Sequence, residues 1–139
     1  MADNSTLIHI KIITPKGVFF EDDVSEIVAP GTEGDFGVQL GHTPFISSVR
    51  PGILKIYKND KPDIYTLMNG FVMVDVDKIR IFTEIIEHPE EIDLKRAEKA
   101  KARAEKRLQE KKEETDLRRA EAALRRAVAR ISLHDTGFH

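Results

Sequence analysis

Five arginines stand at spacings that gather positive charge. Arg96 and Arg103 lie seven residues apart, and Arg119, Arg126 and Arg130 are separated by seven and then four. On helices these spacings put each set on one face. If the two segments are antiparallel neighbours, Arg96, near the start of one, comes close to Arg126 and Arg130, near the end of the other. Cations gathered this way repel unless an anion sits between them. Guanidinium forks match phosphate oxygens, so the fitting chemistry is an anion site for a ligand such as a nucleotide phosphate. The alternative is a solvated face with local pairs such as Glu121–Arg125.

Helical segments must carry these residues. Pro89 is tolerated near a helix start, and Glu90 and Glu91 suit the positive end of a helix dipole. Asp93 is placed to cap a helix over residues 92–108, which is rich in Ala, Lys, Arg and Glu. The polar link "QEKKEET" follows, with Asp116 as a second candidate cap. A second helix is expected over residues 117–131, with "SLHDTGFH" as a tail that frays at Gly137. Leu117, Ala120, Leu124, Ala127 and Ile131 form a heptad-type stripe, answered by Ala97, Ala100, Ala104 and Leu108. Small residues and a short link imply an antiparallel hairpin. Each buried methyl contributes on the order of 1 kcal/mol, against roughly 1–2 kcal/mol to order each residue. Such a hairpin is marginal alone and is a candidate moving part.

The preceding residues read as strands and turns. "IHIKI" alternates Ile8, Ile10 and Ile12 with His9 and Lys11, the pattern of a half-buried strand. "VSEIVAP", "FGVQL", "FISSV", "ILKIYK", "DIYTLM", "FVMVDV" and "IRIFTEII" follow, divided by "GTEGD", "GHTP", "RPG", "NDKP", "NG" and "DK". In "FVMVDV", Val72, Val74 and Val76 form the apolar set. Short strands at this spacing predict an all-β unit. The fold class is therefore α+β in two parts: a β-sandwich over residues 1–88, then an antiparallel two-helix hairpin over residues 89–139.

Composition narrows the function. The 139 residues are 33% charged, above the usual quarter, and hold no cysteine or tryptophan. Disulfides, thiolate metal sites and a cysteine nucleophile are excluded. The net charge of −2 conceals an asymmetry: residues 1–90 carry 14 acids and 8 bases, and residues 91–131 carry 9 acids and 14 bases. The halves therefore suit different partners. No signal peptide or bilayer-length apolar run is present. The histidines are scattered without metal spacing, and no phosphate loop ending in Gly-Lys-Ser/Thr occurs. Acids interleave with the bases of the helices and no aromatic residue lies there for stacking, which argues against nucleic acid.

Taken together, the motifs resemble one family, the epsilon subunit of bacterial F-type ATP synthases. "ITPKGVFFEDDVSEIVAPGTEGDFGVQLGHTPF" is similar to its N-terminal signature, "NGFVMV" to one of its strands, and "EIDLKRAEKAKARAEKRL" and "RRAEAALRRAVARI" to its two helices. Leu40, Asn69 and Met73 depart from the residues usual in the family. The resemblance covers nearly the whole chain.

It implies a non-catalytic rotor subunit in the central stalk, contacting the gamma subunit, the c-ring and the catalytic beta subunits. Such a subunit couples proton or sodium flow to ATP synthesis and requires no cofactor. It is peripheral on the cytoplasmic face of the bacterial inner membrane and reaches the membrane only through the complex. Asp35 and His42 correspond to the end facing the c-ring. The hairpin corresponds to a mobile element that obstructs ATP hydrolysis when extended, with Arg118 and Arg125, beside Arg119, Arg126 and Arg130, meeting the beta subunits. Some members bind a regulatory ATP on the folded hairpin through an "I/L-D-x-x-R-A" motif. Ile92, Asp93, Arg96 and Ala97 match it, and Glu87, Arg103, Arg119, Arg126 and Arg130 fall at corresponding positions. The competing reading is a stand-alone nucleotide-sensing module.

Overall fold

The computed structural model describes residues 6–110 and 113–137. Eight strands come first: β1 (Ile8–Thr14), β2 (Gly17–Val24), β3 (Glu26–Gly31), β4 (Gly34–Val38), β5 (Phe45–Ser48), β6 (Gly52–Tyr57), β7 (Pro62–Val74) and β8 (Lys78–Glu87). A 3₁₀ turn (Pro89–Glu91) leads into α1 (Leu94–Gln109) and α2 (Glu114–Gly137). The hydrogen-bonded order is β2-β1-β8-β7-β6-β3-β4, and β5 pairs with β7. All pairings are antiparallel except β1 with β8.

The long β7 turns this ladder into a sandwich. Its first half pairs with β6 through Pro62–Leu67, and its second half pairs with β5 through Phe71–Val74. The neighbour changes at Asn69–Gly70, where sequence alone places a turn between two strands. The strand instead runs through. Asn69 takes φ 57°, a conformation asparagine tolerates. Gly70 lies so close to β8 that a Cβ there would sit 1.9 Å from the Phe82 carbonyl oxygen. The alternation in β1 holds, with Ile8, Ile10 and Ile12 fully buried. They join Val24, Ile27, Val38, Leu54, Ile56, Leu67, Val72, Ile79 and Ile81 in one core cluster, to which, among the described residues, neither helix contributes. Val76 does not continue the buried set of Val72 and Val74, because β7 has ended and its side chain is exposed.

The edge strand β2 escapes sequence reading because only Val24 in it is buried. Its acids serve another purpose. His9 Nδ1 bonds Asp23 Oδ1 at 2.8 Å and His9 Nε2 bonds Glu21 Oε2 at 2.9 Å, while Asp22 pairs with Lys58. Charge along a free edge also discourages pairing with another chain. The hydrogen bonds to Glu21 and then Asp23 raise the His9 pKa above the usual imidazole value. A raised folded-state pKa stabilises the fold fully below the unfolded value of ~6.5, and that contribution fades as pH rises through the folded value. Thermal melts between pH 6 and 8 are expected to fall with pH, and His9→Asn to flatten that slope. An unchanged slope in the variant would show that the clasp has no thermodynamic weight.

Asp93 caps α1 as its residue type predicts, with Oδ1 accepting from the Arg96 amide at 3.1 Å. The first helix starts at Leu94, since Ile92 closes the 3₁₀ turn in an extended conformation. The second is longer at both ends than its periodicity indicates. Asp116 lies inside its first turn, and residues 132–137 are helical rather than a frayed tail. Tertiary packing explains the extension: Leu133 is fully buried, and α2 lies against β6, β7 and the 3₁₀ turn as well as α1. Of the expected helix–helix seam, Ala97, Ala104, Ala120 and Ala127 are buried, whereas Ala100, Leu108, Leu117, Leu124 and Ile131 are only half-buried; Ala129 and Leu133 are buried on a further stretch of α2.

Candidate anion-binding site

The two helices and the end of β8 enclose a cavity of about 430 Å³. Its walls are Glu87 from β8, Glu91 from the 3₁₀ turn, Asp93 at the cap, Arg96, Ala97, Lys99, Ala100 and Arg103 from α1, and Ala123, Arg126, Ala127 and Arg130 from α2. The volume falls within the ~300–1,000 Å³ usual for small-molecule sites. Two of its four alanines, Ala97 and Ala127, belong to the buried helix–helix seam.

Seven residues singled out in the sequence therefore meet here: Glu87, Asp93, Arg96, Ala97, Arg103, Arg126 and Arg130. Two do not. Ile92 is buried beside the turn, its amide donating to the Pro89 carbonyl, and Arg119 is exposed on α2 away from the walls. Glu91, Lys99, Ala100, Ala123 and Ala127 were not marked as site residues. Lys99 and Ala123 follow from the same helical faces once the antiparallel pairing is accepted.

Charge decides what the cavity suits. Five cations line it against three carboxylates. Glu87 is taken up by Arg130, whose Nε donates to Oε1 at 3.0 Å, and by Thr66, whose hydroxyl donates to the same oxygen at 2.9 Å. These side chains are only 31% (Arg130) and 23% (Glu87) exposed. The pair ties α2 to the sandwich at the lip of the cavity. Glu91 Oε1 accepts from the His88 amide at 3.3 Å. Arg96, Lys99, Arg103 and Arg126 remain around the opening, and among the described residues none of them forms a salt bridge. An anion with several oxygens fits that arrangement, and Asp93 offers an acceptor at one end for a ligand N–H.

The remaining sequence candidates lie elsewhere. Asp35 Oδ1 accepts from Arg50 Nη2 at 2.5 Å and lines a separate groove with Leu124, Arg125 and Val128 of α2. His42 sits beyond the other end of β4, its Nδ1 bonded to the Thr43 carbonyl oxygen and its ring 5.0 Å from that of Phe45. Arg118 pairs with Glu114 one turn away, largely in solvent.

Comparison with known proteins agrees with this architecture. Residues 7–89 match the family described as ATP synthase, Delta/Epsilon chain, beta-sandwich domain, and residues 90–134 match ATP synthase, Delta/Epsilon chain, long alpha-helix domain. The ATP synthase epsilon chain of Desulforudis audaxviator is 49% identical over 99 residues, 71% of this chain and 72% of the relative. That of Desulfosudis oleivorans is 44% identical over 111 residues, 78% of this chain and 80% of the relative. A chain in a cryo-EM structure of the Euglena gracilis mitochondrial ATP synthase superposes with a TM-score of 0.81 at 26% identity, covering 96% of this chain and 82% of the other.

Proposed function

Because the chain belongs to the ATP synthase Delta/Epsilon chain family, we propose that it is the regulatory epsilon subunit of a bacterial F-type ATP synthase. It carries no catalytic site. It turns with the central stalk beside the gamma subunit, touches the c-ring, and couples proton or sodium passage to ATP synthesis. Among the described residues no helix is long and apolar enough to cross a membrane. As an epsilon subunit it sits peripherally, on the cytoplasmic face of the inner membrane, reached through the complex.

The hairpin is the regulatory part. The carrying observation is that, among the described residues, the sandwich core contains none from α1 or α2. The helices can leave without dismantling the sandwich, and what holds α2 to it is the contact with β6 and β7, the buried Leu133 and the Glu87–Arg130 pair. Released, α2 presents Arg118, Arg119, Arg125, Arg126 and Arg130 to an acidic surface of the beta subunits and impedes hydrolysis. Docked, the helices hold ATP in the cavity, phosphates on the arginines and the adenine amino group toward Asp93. A ligand bound only by the docked form shifts the balance toward it.

A tether tests the direction of this switch. The protein has no cysteine, so Lys55→Cys and Ser132→Cys, which line one groove between β6 and α2, can be bridged selectively. Bridging them in the assembled enzyme is expected to abolish inhibition of hydrolysis. Full inhibition with the bridge in place would refute the proposal.

A further inference from the structure

The last turn of α2 ends against the hinge that joins sandwich to hairpin. Gly137 is the final helical residue, and a Cβ built on it would lie 2.4 Å from Cβ and 2.8 Å from Cγ of Pro89. A proline ring cannot swing aside as a flexible side-chain tip would. Gly137 is not among the residues with positive φ, so it is not present as a left-handed cap. In a right-handed turn glycine weakens the helix relative to alanine. What its missing side chain supplies here is the close approach itself.

The segment around this contact is restrained from three further sides. Leu133, one turn earlier, is fully buried. Arg130, one turn before that, holds Glu87, the last residue of β8. His88, immediately before Pro89, packs its ring 4.8 Å from Tyr65 and 5.8 Å from Phe19. The start of the hinge is thus fixed to the sandwich, and the far end of the hairpin closes on it.

We propose that Gly137 and Pro89 form a closure contact that sets the docked position of the hairpin. Its C-terminal turn acts as a latch on its own hinge. The inference rests on the mobile-hairpin reading above and adds a positioning role to the end of α2. When α2 leaves the sandwich, Pro89 loses this partner and the hinge is free to straighten. When α2 returns, only a residue without a Cβ at position 137 lets the last turn seat.

The test uses the full chain with spin labels on the Lys55→Cys/Ser132→Cys pair and reads the distance distribution. Gly137→Val is expected to raise the ratio of separated to docked molecules on the order of tenfold, as for loss of one packed contact. Gly137→Ala should act in the same direction. Helix propensity alone predicts the opposite sign, since alanine strengthens the helix. Adding Pro89→Gly to Gly137→Ala should restore the docked distance by removing both the ring and the Cβ that lies 2.4 Å away. A buried charge, Ala129→Asp, serves as an independent release of α2. If Ala129→Asp separates the labels and the Gly137 variants do not, the latch is overturned and the mobile hairpin stands. If no variant separates them, both fall.

Discussion

Replacing Arg103 and Arg126 together by glutamine is expected to weaken ATP binding to the isolated protein by roughly a hundredfold or more, since hydrogen bonds between charged partners contribute ~1.5–3 kcal/mol each. Both arginines line the cavity from facing helices, and among the described residues neither forms a salt bridge. Without ligand, each adds repulsion across the seam. Glutamine therefore leaves the unliganded hairpin as stable as before, or more so. That opposite response separates a ligand role from a structural one. Arg126→Lys should recover only part of the affinity, because an ammonium cannot reproduce the planar fork. Calorimetric titration with ATP measures all three proteins. Equal affinity for the double variant and the parent would remove the cavity as the nucleotide site.

Leu133→Ala is expected to weaken docking by about 2–5 kcal/mol, the usual cost of truncating a fully buried leucine. The side chain is at 0% exposure on the part of α2 beyond the seam. The sandwich should melt as before, because its core has no member from the helices. Hydrogen exchange on α2 amides should accelerate while exchange in β1, β7 and β8 stays slow. The apparent affinity for ATP should fall with the docked fraction, although no ligand contact has changed. If α2 and the sandwich lose protection together, hairpin and sandwich are one cooperative unit, and a freely switching arm is untenable.

The legible parts of the fold were those written in local periodicity. Ile8, Ile10 and Ile12 declared their strand by alternation, and Ala97, Ala104, Ala120 and Ala127 declared the seam by helical spacing. The arginine cavity was foreseeable for the same reason, since Arg96 and Arg103 share a face with no knowledge of the rest of the chain. What remained hidden depends on distant partners. In β2 the apolar Val18, Phe19 and Phe20 run together and three acids follow, so no alternation marks it and its pairing with β1 defines it as a strand. Residues 132–137 are poor helix formers taken alone, and Leu133 is held helical by the sandwich it packs on. Asn69–Gly70 looks like a hairpin turn but is the place where β7 changes neighbours, because Gly70 meets the backbone of Phe82. Asp35 also pairs with Arg50, fifteen residues on, a contact that no local spacing announces.

The central claim is that the hairpin is a removable brake on a rotary enzyme. ATP hydrolysis by the assembled complex, reconstituted with the full chain and with a chain lacking residues 90–139, tests it most directly. The separate core of the sandwich predicts that the shortened chain still folds and assembles. The expected result is normal incorporation and a higher hydrolysis rate than with the full chain. Normal incorporation with an unchanged rate would contradict the account.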